Sequence, residues 1–252
     1  PYVRQGPLIT GAVLRDTITF STAGFSGLNS FWMEVNPYTN FPLKDQPELA
    51  HFNNILQIPF NVEQDDLNPL LDVTFDGLHI LNGDIINPNA EIVITLKDDN
   101  PFLIMNQDAD TSSFGIYLKY PDGVQKRVPF INNNGQQIMH WEPANVDNLK
   151  FKIIFPSEFT VEGEYELLVQ GSDKSGNLSG DLEYRVKFEV LLSSSITHMM
   201  NYPNPFSTST RFVFTLTGSK VPDEIKIQIM TVTGRIVREI TEDELGPMRI
   251  GR

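Results

Sequence analysis

The residues of this chain best equipped for chemistry are its acids. Asp98-Asp99-Asn100, followed by Asn106, Asp108 and Asp110, places side-chain oxygens at closely alternating positions in one loop between two strand-like runs. Hard cations, above all Ca²⁺, take about six to eight such oxygens. The loop has neither the central glycine nor the closing glutamate of an EF-hand. Two readings therefore stand: a calcium site on Asp98, Asp99, Asp108 and Asp110, or a solvated acidic turn. No cofactor other than calcium is expected. Asp173-Lys174-Ser175-Gly176-Asn177 is a second oxygen-rich turn, but hairpin geometry alone accounts for its Gly-Asn pair. Asp65-Asp66-Leu67-Asn68-Pro69 reads as a linker that closes on a turn-forming Asn-Pro.

The other reactive residue types are scattered. His51, His79, His140 and His198 lie in different parts of the chain, without the i, i+4 or H-x-E spacing of a metal site. No serine sits in G-x-S-x-G or S-x-x-K. The absence of cysteine removes a thiol nucleophile, a disulfide framework and Cys-ligated zinc. Catalysis within this chain is not expected. Trp32 and Trp141 are too few for the aromatic platform of a carbohydrate-binding module, although a calcium-dependent adhesin or sugar binder stays open as an alternative.

The chain has 252 residues and a net charge of −13. That surface repels nucleic-acid phosphates and offers no basic patch to an anionic leaflet, so no nucleic-acid partner is expected. No run of about 18 apolar residues is present, so no transmembrane helix is expected. Pro1 stands where an initiator Met would be, so a cut or processed amino end is expected.

The elements that must position these residues are strands. Seventeen Phe with 17 Gly and 17 Pro describe aromatic strands divided by frequent turns. Thr17–Phe20, Ser30–Val35 and Ile55–Val62 read as strands in residues 1–64, which are too few to close a sandwich. Leu71–Phe75, Glu91–Leu96, Phe114–Leu118, Lys126–Phe130, Leu149–Phe155, Gly163–Gln170 and Glu183–Leu191 form a series in residues 65–192 with no helical period between them. Seven such strands predict an immunoglobulin-like sandwich. Ser193–Ser195 reads as a hinge. Arg211–Leu216, Ile225–Met230 and a hairpin through Val232-Thr233-Gly234-Arg235 then open a third unit, residues 193–252. The expected fold is all-β, with tandem immunoglobulin-like β-sandwiches of which the first and last are incomplete.

Asn201-Tyr202-Pro203-Asn204-Pro205-Phe206, then Thr208-Ser209-Thr210, Phe212-Val213-Phe214 and the Gly234-Arg235 hairpin, resemble the sorting-type C-terminal domains of type IX secretion cargo. Asn68–Gly77 and Ile80–Ile85 resemble the region after the catalytic domain of gingipain-type, sortase-like surface peptidases. Glu34–Pro37 and Glu48–Asn54 resemble the end of the adhesion-like sandwich that precedes it. The resemblance implies a sorting motif of Tyr202, Pro203, Asn204, Pro205, Phe206, Gly234 and Arg235. It also implies an extracellular, outer-membrane-associated location and an outer-membrane or type IX secretion envelope protein as partner. Asp16-Thr17-Ile18 is similar to the O-glycosylation acceptor of such bacteria, on Thr17. The peptidase domain of that family lies upstream, and no catalytic residue carries over. The expected role is a non-catalytic spacer, docking and secretion-targeting region. The alternative is that this region belongs to a cysteine peptidase whose catalytic domain precedes it.

Overall fold

The computed structural model describes residues 11–13, 15, 17–22, 24–35 and 52–251. The calls on Asp16 and His51 lie outside them. The chain divides into two compact units, Pro1–Gln64 and Asp65–Arg252.

In the first unit β1 (Gly27–Glu34) pairs antiparallel with β2 (Ile55–Val62), Gly27 opposite Val62 and Glu34 opposite Ile55. Residues 17–20, expected as a strand, join no ladder. Phe20 instead meets Phe60 edge-on at 6.1 Å. None of the described residues of this unit is buried.

The second unit opens with two sheets. One is built from β3 (Leu70–Phe75), β5 (Glu91–Lys97), β9 (Lys150–Pro156) and β8 (His140–Glu142), in that order. The other runs β4 (Asp84–Ile86), β11 (Tyr184–Val190), β10 (Gly163–Gly171), β6 (Phe114–Lys119) and β7 (Gln125–Arg127). Neighbours are antiparallel except β4 beside β11.

Alternation decides which residues turn inward. Ile92, Ile94 and Leu96 of β5 and Phe151, Ile153 and Phe155 of β9 face Phe114, Ile116 and Leu118 of β6 and Tyr165, Leu167 and Val169 of β10. These side chains form one buried cluster, so the two sheets make a sandwich. Aromatic rings join the layers: Phe75 meets Phe188 at 5.3 Å and Phe114 stacks on Phe151 at 5.5 Å. Burial of this apolar surface is the main force holding the unit together. On the outer face, the buried Glu166 carboxylate lies 3.4 Å from Arg185 and 3.9 Å from Lys119, which offsets the cost of shielding it from water.

Beyond the sandwich the chain forms two ribbons. β12 (Ser195–Tyr202) pairs with β13 (Arg211–Thr217), with an irregularity between Thr197 and Met200. β14 (Lys226–Met230) pairs with β15 (Ile236–Thr241). The expected hinge is therefore shorter than read, because Ser195 already belongs to β12. Tyr202 likewise closes that strand, leaving Pro203–Phe206 as the turn. The chain then turns back between ribbon and sandwich: Ile250 is buried, the Gly251 N–H donates to Leu216 O of β13 at 2.9 Å, and Gly251 lies against Ile85 of β4. Gly251 has φ +82°, and a Cβ there would collide with Ile85 O, so this approach requires glycine.

A carboxylate holds the chain as it leaves β11. Glu162 accepts the backbone N–H groups of Leu192 at 2.7 Å and Ser193 at 3.1 Å. Those bonds keep its pKa below the usual carboxylate value. A depressed folded-state pKa contributes stability above the unfolded value that is lost as pH falls through the folded one. The melting temperature of the wild type should therefore exceed that of Glu162→Gln near pH 7. The gap should shrink as calorimetric scans move below the ordinary Glu range. A gap that widens in acid would contradict this role.

Candidate cation site

Asp98 follows directly on β5, in one sheet, and Asp173 stands two residues beyond β10, in the other. The strand ends are drawn together where β10 closes on Gly171. A Cβ on Gly171 would stand 3.1 Å from Leu96 of β5 and 3.3 Å from Phe114 of β6. Asp65, in the segment before β3, completes the group. One carboxylate oxygen from each of Asp65, Asp98 and Asp173 lies within 4.8 Å of the others.

Each carboxylate is held differently. Asp173 Oδ1 accepts the Asn177 N–H at 2.8 Å and its Oδ2 the Asn177 side-chain amide at 2.9 Å. Asp65 Oδ2 accepts the Asn100 amide at 2.7 Å and the Ser175 hydroxyl at 3.2 Å, while Oδ1 accepts the Leu67 N–H at 3.2 Å. Asn177 also donates to the Asp65 carbonyl at 2.8 Å. The Asn100 amide, first among these donors, holds the Asp65 carboxyl below its ordinary pKa. Asp98 Oδ1 accepts the Asn100 N–H at 3.1 Å, but Oδ2 is buried with no hydrogen-bond partner. Burial pushes the Asp98 carboxyl up, and the charges of Asp173 and Asp65 add to that. Asp98 is 8% exposed and Asp173 3%, so this is an interior concentration of like charge rather than a solvated acidic turn.

The remaining acids of the 98–110 loop do not join this group. Asp99 is exposed and pairs with Lys97 at 2.9 Å. Asp108 is exposed at the start of the 3₁₀ segment Asp108–Ser113. Asp110 is buried and turned inward on its own loop, accepting the N–H groups of Asn106 at 2.6 Å and Gln107 at 2.8 Å. It also pairs with Lys174 at 3.3 Å. Sequence spacing singled out Asp98 but gave it its neighbours in the chain as companions. Its spatial companions come from the linker and from the Asp173–Asn177 turn. The repeated Asp/Asn pairing in those two segments was the visible signal.

The other candidate residues are apart from this group. Tyr202 and Phe206 are exposed, and the Thr210 hydroxyl ties the turn between them by donating to Pro203 O at 2.9 Å. Gly234, with φ +84°, and Arg235 occupy the β14–β15 hairpin, where the Gly234 N–H donates to Thr231 O. Thr17 is exposed. His79 bonds Asp72 at 2.6 Å on the surface, and His198 lies against Thr197. Trp141 is packed onto Phe151 at 5.4 Å, whereas Trp32 is exposed. No helix among the described residues is long and apolar enough to cross a membrane.

The class defined by these features is an all-β protein: a two-sheet sandwich with a carboxylate cluster at one end and two β-ribbons beyond it. No family model matches the chain, and no curated protein matches it in sequence. Among solved structures it is similar to dimeric latent PorU from Porphyromonas gingivalis, at 17% identity and a TM-score of 0.35. That match covers 78% of this chain and 16% of the other. It is also similar to domains 1–6 of the surface layer protein SbsC, at 16% identity and a TM-score of 0.20, over 77% of this chain and 20% of the other. This chain thus spans less than a quarter of either.

Proposed function

We propose that this chain is a non-catalytic region of a bacterial cell-surface protein associated with type IX secretion, serving as spacer, docking module and secretion-targeting region. The observation that carries this reading is the distribution of apolar surface in the second unit. The sandwich closes over its core and leaves exposed apolar side chains mainly in its loops, such as Phe102 and Leu182, whereas the ribbons leave Ile196, Met200, Val213, Val232, Ile236 and Val237 at least half exposed. A two-stranded ribbon is marginal by itself, and apolar groups gathered on one mark a surface for protein contact. The partner that suits it is an envelope protein that covers these side chains or extends a ribbon edge by strand addition.

The sandwich supports the spacer part of this reading. Its strand orders, β3-β5-β9-β8 and β4-β11-β10-β6-β7, make a two-sheet sandwich and support an immunoglobulin-like reading of it. The Tyr165 hydroxyl donates to Val161 O at 2.8 Å, a bond of the kind that fixes the corner before such a strand. The resemblance of Tyr202–Phe206 and Gly234–Arg235 to a sorting module supports the secretion-targeting part.

Cosedimentation with outer-membrane vesicles from a type IX-secreting bacterium tests the reading. The wild type should pellet with these vesicles and not with protein-free liposomes. Val232→Asp combined with Val237→Asp should weaken binding by about tenfold or more, as expected for residues central to an interface. Equal binding of the double variant, or no binding of the wild type, would reject it.

A further inference from the structure

We propose that Asp65, Asp98 and Asp173 form a Ca²⁺-binding site that fastens the segment before β3 to one end of the sandwich. The first ground is geometric. Three carboxylate oxygens lie within 4.8 Å of one another, and an ion bound at about 2.3–2.6 Å from each ligand accommodates such spacings. The donors are all oxygen, with no histidine or cysteine in the group, which favours a hard cation over zinc or copper.

The second ground is independent of the clustering. Asp98 is 8% exposed, and its Oδ2 is buried without any hydrogen-bond partner. Buried polar atoms are otherwise almost always satisfied, and an orphaned carboxylate oxygen beside two other carboxylates is satisfied by a cation. The donor side chains nearby fit this arrangement. Asn100, Ser175 and Asn177 hold Asp65 and Asp173 in place, as outer hydrogen bonds orient the ligands of a metal site. Lys174, the cationic neighbour of Asp173, is paired with Asp110 at 3.3 Å.

The site has a structural consequence. Asp65 belongs to the segment leading into β3, Asp98 to the end of β5 and Asp173 to the turn after β10. An ion shared by all three joins that segment to both sheets. Binding is thereby linked to folding, because the unfolded chain does not hold the three carboxylates together.

Thermal unfolding and calorimetric titration of the full 252-residue chain test the proposal, using chelator-treated protein with CaCl₂ or MgCl₂ added. Sites in extracellular modules bind calcium at about 10⁻⁴–10⁻³ M. A hundredfold excess over Kd corresponds to about 2.7 kcal/mol, or a rise in Tm of about 5–10 °C for a unit of this size. Asp98→Asn and Asp173→Asn should abolish the rise, whereas Asp108→Asn should keep it. In chelator, Asp98→Asn should melt no lower than the wild type, because it removes one of three crowded charges. Nuclear magnetic resonance of the wild type supplies a readout that needs no variant. The side-chain amides of Asn100 and Asn177 should shift on CaCl₂ addition, and that of Asn134 should not. Absence of any calcium response up to 10 mM (about ten times the weakest affinity expected), a response to MgCl₂ alone, or a full response in Asp98→Asn would overturn the proposal.

Discussion

Phe151→Ala should lower the unfolding free energy of the second unit by about 3–5 kcal/mol, the usual result of removing a fully buried aromatic ring. Phe151 is 1% exposed and lies between two rings, stacked on Phe114 at 5.5 Å and on Trp141 at 5.4 Å. The first contact crosses from one sheet to the other, and the second braces the short edge strand β8. Truncation therefore opens a cavity between the layers and also loosens β8, which has only three residues with which to pair. At about 2–4 °C per kcal/mol for a domain of this size, Tm should fall by roughly 6–20 °C. Calorimetry or circular dichroism measures this directly. A fall of less than about 2 °C would mean that the two sheets do not pack through this side chain.

Tyr165→Ala should have an effect of the same order, and Tyr165→Phe separates its causes. The Tyr165 ring is stacked on Phe188 at 5.8 Å and tilted against Phe159 at 4.8 Å, while Tyr120 meets it edge-on at 5.6 Å. Its hydroxyl makes one bond, to Val161 O. Alanine removes the packing and the bond, at a cost of about 3–5 kcal/mol. Phenylalanine keeps the packing and loses about 1 kcal/mol, the net value of a typical hydrogen bond. If the phenylalanine variant were destabilised as much as the alanine variant, the corner bond would outweigh the aromatic cluster, contrary to this account of the core.

The strands most legible in the sequence were those with a full period of alternation. Ile92, Ile94 and Leu96, or Phe151, Ile153 and Phe155, state both the strand and its buried face, because only one side of each meets the opposite sheet. Strands β4 and β8 were not legible, since three residues carry too little period to register and their pairing depends on β11 and β9 being in place. Residues 17–20 erred the other way: Thr17-Ile18-Thr19-Phe20 has strand composition, yet these residues join no ladder. β12 was hidden because Ser193–Ser195 and the prolines after Tyr202 look like loop chemistry at both ends of a real strand.

The carboxylate cluster was half legible for a related reason. A loop rich in Asp and Asn can be seen, but which of its carboxylates are buried depends on contacts formed far along the chain. Asp98 is carried inward because β5 is a central strand. Asp99, one residue later, points to solvent and pairs with Lys97. The convergence of Asp65 and Asp173 on Asp98 is a property of the assembled sandwich, which no local pattern contains.

The central claim is that this chain works through contact surfaces on its ribbons rather than through chemistry in a cleft. Hydrogen–deuterium exchange of the 252-residue chain, with and without outer-membrane vesicles from a type IX-secreting bacterium, tests it most directly. Protection should appear in 195–202, 211–217, 226–230 and 236–241, with the exchange of the buried sandwich strands unchanged. Ribbons that exchange equally in both conditions, or protection confined to the sandwich, would contradict the claim.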